Sequence, residues 1–327
     1  MARPRRLSAA TTVPAAGRPG CQPCPGTTLS TVAVDQHLYL GIDFSGDHLR
    51  WRPRTARSNV WIADVVESGA GLELRGLRRV QELPNGAIPF DRLARLLQAG
   101  RFRAAAIDAP FSVPHEFLGA RSHRELLAEV AELASRARSY QRRPFPDART
   151  FVRAVAGHER CEPAHPLRVT EQQWRQRHVP TRSSLWCGSR GGAPMTAACL
   201  TLLHAAGRPI WPWADASSPG LLVEAFPAAQ LRQWGLPHDR YNGPANLKTR
   251  RQLIYQLKKR LTLPTRFCKV MLASADALDA VICAFAARAV ASGALASLPP
   301  NDIPEDEGWI PVHENWKTRR LRPAALR

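Results

Sequence analysis

Lysine is scarce in this chain: of 327 residues only Lys248, Lys258, Lys259, Lys269 and Lys317 are lysines, although Lys and Arg together number 46. The basicity is therefore an arginine basicity. Against 27 Asp and Glu the formal net charge is +19, which favours an anionic partner such as nucleic acid and salt-sensitive binding. The accompanying excess of Ala and Pro also fits the coding bias of a GC-rich genome, so charge permits a nucleic-acid partner without establishing one. Long apolar runs are missing as well. The longest, residues 281–291, is broken by Arg288 and falls short of the roughly 18 residues that span a bilayer, so no membrane is expected. Cysteine is sparse and odd in number, seven in all. Cys283 sits in an apolar helical stretch, which suits reduced thiols in a cytoplasmic protein better than a disulfide framework. Cys21 and Cys24 have zinc-ligand spacing but no second pair, for which Cys161 with His165 is a poor substitute.

A chain this long can bury a full core. Residues 1–36 hold Pro, Gly, Ala, Thr and Arg without periodicity and are expected to form a disordered basic tail. One folded domain is expected over residues 37–311, followed by a basic C-terminal tail over 312–327. Strands are predicted at residues 38–44, 60–67, 72–83, 104–108 and 221–226, with the break at 68–71 making a hairpin of the second and third. Helical spacing predicts helices at 90–98, closed by Gly100, and at 122–138, 193–206, 248–261 and 274–291, with another starting at Pro227. Residues 144–215, rich in Pro, Arg and Trp, read as an irregular insertion over the site. A hairpin followed by crossovers gives an α/β fold, a mixed five-stranded sheet flanked by helices.

The chemistry concentrates in acids at element ends. Asp43 ends Leu-Gly-Ile-Asp, Asp108 ends Ala-Ile-Asp, and Glu224 ends Leu-Val-Glu; Asp276 and Asp279 lie three residues apart in a nearly all-apolar helix. A buried ionised carboxylate without a partner is costly, so acids at such places are paired, protonated or metal-bound. Each has a humbler alternative. Asp43 and Asp108 suit turn hydrogen bonds, Asp276 suits the first helical turn, and Glu224 suits a supporting role orienting an Arg or a metal-bound water. Asp279 lies beyond the capping positions and has no such explanation. Acids at neighbouring strand ends can converge with acids on a packed helix, as a two-cation phosphodiester site requires, and their hard oxygens select Mg²⁺ or Mn²⁺.

The segments Gly41-Ile-Asp43, Ile107-Asp108-Ala-Pro110, Glu224-Ala-Phe-Pro227, Asp276-Ala-Leu-Asp279-Ala and Glu307-Gly-Trp-Ile310 resemble the domain of unknown function 429 family, described as predicted nucleases of the RNase H fold. The resemblance spans residues 38–311. The same residues are similar, more distantly, to Holliday-junction resolvases of the RNase H-like superfamily. In those proteins an acid follows Gly-Ile on strand one, a second ends strand four, and an Asp-x-x-Asp pair opens the last helix. The resemblance thus implies an RNase H-like fold with metal ligands at Asp43, Asp108, Asp276 and Asp279.

The leading expectation is a Mg²⁺- or Mn²⁺-dependent nuclease, with Asp43, Asp108, Asp276, Asp279 and Glu224 as the catalytic set. Arg250, Arg251, Lys258 and Lys259 would hold nucleic-acid phosphates, or form a solvated helix face. Two other classes stand beside it: a non-catalytic nucleic-acid-binding or regulatory protein, and a phosphotransferase of the actin and sugar-kinase type, which would need a second such domain and a Gly-rich nucleotide loop.

Overall fold

The computed structural model describes residues 34–55, 58–84, 88–157, 166–188, 192–297 and 305–315. Cys21, Cys24, Cys161, His165, Lys317 and most of both expected tails lie outside these residues. The chain is α/β. Strands β1 (Leu38–Asp43), β2 (Trp61–Ser68) and β3 (Gly71–Arg79) pair antiparallel in succession, whereas β4 (Ala104–Asp108) pairs parallel with β1, and β5 (Leu221–Glu224) parallel with β4. One five-stranded mixed open sheet results, in the order β3-β2-β1-β4-β5. The hairpin at residues 68–71 closes with Ser68 opposite Gly71, as expected.

Among the described residues there are nine α-helices: α1 (Pro89–Ala99), α2 (His123–Gln141), α3 (Ala148–Ala156), α4 (Val169–Gln176), α5 (Gly192–Ala206), α6 (Pro227–Gln233), α7 (Leu247–Leu257), α8 (Thr265–Ala273) and α9 (Ala275–Ala291). Side chains alternate across a strand, and the two faces bury different partners. Leu40, Ile42, Ala105 and Ile107 join α1, α2 and α5 in one apolar cluster. Tyr39, Ala104, Ala106, Leu221 and Val223 face α9 on the other side. The same alternation directs Asp43 and Asp108, at the ends of β1 and β4, toward the α9 face.

Helix α9 approaches the sheet unusually closely. A Cβ placed on Gly41 would come within 2.0 Å of the Ala280 carbonyl oxygen and 2.4 Å of the Ala284 nitrogen. Glycine in the strand and alanine in the helix thus let backbone meet backbone, and Ser274, whose hydroxyl accepts from the Ala277 N–H, fixes where the helix begins. No single described helix is long and apolar enough to cross a membrane; α8 and α9 meet at a 118° bend.

Three expectations change. The segment at 144–215 carries three helices rather than one, and Phe151, Val152, Val155 and nearly all of α5 belong to the main core, so it is integral to the fold. Val312, His313 and Glu314, expected at the start of the tail, are buried; the His313 N–H donates to Gln230 Oε1 (2.7 Å) and Arg288 Nη1 bonds to His313 Nε2 (2.6 Å). Cys187, in the loop before α5, is disulfide-bonded where reduced thiols were expected throughout; Cys199, Cys268 and Cys283 are free.

Candidate active site

β1 and β4 run in register, so Asp43 stands directly beside Asp108. Adjacent strands lie about 4.8 Å apart, which places two carboxylates side by side at the C-terminal ends of two inner strands. Asp276, in the first turn of α9, and Asp279, one turn deeper, face the same space. All four line a single cavity of about 700 Å³. Asp43 and Asp279 are 8% and 6% exposed, whereas Asp108 and Asp276 are half-buried toward the cavity. The grouping expected from the sequence is therefore present.

Electrostatically the cluster is strained. Burial, followed by the charges of Asp276, Asp279 and Asp108, holds the Asp43 carboxyl well above the usual range. Asp108 is pushed up to about 7 by burial, then by Glu224 and Asp276. Asp279 is raised strongly by burial and by Asp108, although the Tyr241 hydroxyl donates to its Oδ1 at 2.7 Å and opposes the shift. Burial also raises Asp276, opposed by Arg50 and Arg250. The charges acting most on Asp43 and Asp108 are thus all negative, the condition a bound cation relieves.

The donor set agrees in kind. Besides the acids, Asn59 lines the cavity, and its Oδ1 is buried without a hydrogen-bond partner among the described residues. That adds one more hard oxygen of the type Mg²⁺ and Mn²⁺ prefer. As the side chains stand, however, no group of three or more His, Cys, Asp or Glu among the described residues is arranged to hold a metal ion. The acids share a cavity without converging on one point.

Glu224 acts on Asp108 but does not line the cavity that the four share. Its carboxylate accepts from Arg168 Nη2 (2.5 Å), Arg168 Nη1 (2.8 Å) and the Phe111 N–H (3.0 Å). Arg168 also holds Glu171 at 3.0 Å, and its Nη1 donates to the Glu307 carbonyl at 3.2 Å. The Glu307 carboxylate in turn accepts from the N–H groups of His115 (2.8 Å) and Val169 (2.6 Å). Glu224 therefore has the supporting position that the sequence left open, orienting an Arg, and fastens the loop after β4.

The expected cationic patch divides. Arg250 is 3% exposed, too buried to meet a phosphate; it donates to the carbonyls of Tyr241 (2.5 Å), Gly243 (2.8 Å) and Leu272 (2.9 Å). It thereby sets the turn from which Tyr241 reaches Asp279. Arg251, Lys258 and Lys259 are exposed on the outer face of α7 and the turn after it, away from the cavity, with Lys259 lying over the Tyr255 ring. The sequence reading missed His48, at the start of a short 3-10 helix (His48–Trp51), and Asn59, Arg143 and Asn242, which line the cavity from loops. Burial, then Arg143, lowers the His48 pKa, with Asp47 opposing.

No curated protein and no solved structure matches the chain. Residues 41–303 match the family described as "Protein of unknown function (DUF429)", a stretch that begins at the Gly41 approach to α9 and contains all four cavity acids. With most of its length covered by that match, this chain belongs to the DUF429 family.

Proposed function

We propose that the protein is a metal-dependent nuclease with an RNase H-like fold, hydrolysing nucleic-acid phosphodiester bonds in the carboxylate cavity. The observation that carries this reading is the in-register pair Asp43 and Asp108, which shares one cavity with Asp276 and Asp279 and has only negative charges acting strongly on it. An acid ending strand one, an acid ending strand four and an Asp-x-x-Asp at the start of the last helix are what the resolvase resemblance calls for.

Asp43, Asp108, Asp276 and Asp279 would hold Mg²⁺ or Mn²⁺, with Asn59 Oδ1 as a further oxygen. When bound, such cations activate water and stabilise the leaving oxygen. The chain itself does the rest. His48, kept neutral at the cavity edge, can accept a proton. Arg143 beside it offers a guanidinium to phosphate. Tyr241 holds Asp279 in place from the turn that Arg250 anchors.

The test is incubation with labelled duplex, junction, single-stranded and RNA substrates in Mg²⁺, Mn²⁺ or EDTA. Cleavage is expected with either metal and not in EDTA, and Asp43→Asn should abolish it. One observation favours the non-catalytic reading instead: the four acids do not converge as they stand. Binding without cleavage of any substrate, in either metal, would decide for that reading. A phosphotransferase of the actin type would need a second domain, and the described residues contain one sheet.

A further inference from the structure

A second cavity, of about 400 Å³, opens on the other side of Asp108. It shares Asp108, Met195 and Asn242 with the first, so the two meet along that line. Each has an arginine of its own. Arg143 borders the first; Arg182 borders the second, its guanidinium 4.5 Å above the Trp186 ring. Apart from the shared Asp108, the acids of the second cavity, Glu171 and Glu224, are taken up by Arg168. Three residues before Arg143, in the last turn of α2, Tyr140 is 87% exposed, and Arg142, in a left-handed conformation (φ 54°), caps the helix between them.

We propose that the two cavities form one track for a single strand of nucleic acid, held by Arg143 before and Arg182 after the phosphate that lies over Asp108, with a base stacked on Tyr140. This deepens the nuclease reading and rests on it for the position of the phosphate. Single-strand grooves combine cations along the backbone with exposed aromatic platforms, and Tyr140, three residues before the cavity-lining Arg143, supplies such a platform next to one of the two arginines.

The experiment measures fluorescence anisotropy of labelled single-stranded and duplex oligonucleotides of equal length, in EDTA across a salt series, with cleavage in Mg²⁺ assayed in parallel. Single strand should bind about tenfold tighter than duplex or better. Arg143→Ala and Arg182→Ala should each weaken single-strand binding about tenfold and lower the salt slope by about one. Tyr140→Ala should cost about fivefold or more with no change in slope. Arg182→Lys should keep most of the binding, and Arg251→Ala should leave it unchanged. Equal or tighter duplex binding, or wild-type binding by a correctly melting Arg182→Ala, overturns the track. Duplex bound and cut leaves the nuclease standing without the track; single strand bound as described but never cut removes the nuclease and keeps the track as a binding groove. Failure to bind any nucleic acid overturns both.

Discussion

Asp43 and Asp108 occupy the same register step of neighbouring parallel strands, so neither carboxylate can ionise without meeting the other. Removing one charge should therefore relieve the apoprotein. Asp43→Asn and Asp108→Asn are each expected to melt at or above the wild-type temperature in EDTA and to lose the stabilisation that millimolar Mg²⁺ or Mn²⁺ gives the wild type. Differential scanning fluorimetry with and without metal checks this. A wild-type melting temperature indifferent to both metals would count against the cation site.

The same repulsion sets a pH dependence. Asp108 has an ordinary value of 3.8 and is raised to about 7 in the fold. A raised acid contributes stability that is complete below its unfolded value and is lost as pH climbs through its folded value. The apoprotein should accordingly lose a few kcal/mol of stability between about pH 4 and pH 7, and Asp108→Asn should flatten that slope. Urea titrations at several pH values in EDTA supply the measurement; a wild-type profile no steeper than that of Asp108→Asn would contradict the strained cluster.

At Gly41 the closeness of α9 leaves no room for a methyl group. Gly41→Ala should cost about 3 kcal/mol or more, because backbone atoms on both sides would have to move. Gly69→Ala, with nothing near its added carbon, should cost a few tenths of that amount at most. Comparable denaturation midpoints for the two variants would refute the close approach.

Arg168 separates scaffold from chemistry. It is fully buried and ties together Glu171, Glu224 and the Glu307 carbonyl. Arg168→Met should destabilise by about 3–5 kcal/mol, since it strands two buried carboxylates. Glu224→Gln should also destabilise, while the fraction that remains folded cleaves at close to the wild-type rate per molecule. If Glu224→Gln stays as stable as wild type and loses cleavage, Glu224 is a catalytic acid after all.

The strands and the acids were legible in the sequence because each signal is local. β4 was read to the residue, since an alanine run ending in Asp-Ala-Pro has a clear stop, and α2 begins where expected, next to Ser122, which with Glu125 forms a capping box in the structure. Helix α3 was missed despite Asp147 and Gly157 at its ends, because a two-turn helix offers too few periodic positions to stand out from Pro- and Arg-rich surroundings. α8 was missed because only Ser274 separates it from α9. Arg250 was misplaced for a related reason. Periodicity shows that it leaves the Leu253 face, but not that the Leu272 carbonyl of α8 and the turn at Tyr241 close over it. Asn59 and Arg143 reach the cavity from loops and His48 from a single 3-10 turn, whose course no periodic pattern encodes.

The contact between Gly41 and α9 also has a mechanical meaning. Strand and helix touch through main-chain atoms, with no flexible side chains between them to absorb a displacement. Asp43 ends that strand and Asp276 and Asp279 open that helix, so backbone packing carries all three. Asp108 rides on the neighbouring strand, joined to β1 by the sheet's ladder hydrogen bonds. The four carboxylates therefore hang from main-chain contacts, and side-chain torsion is the freedom left for adjusting their spacing to what they hold.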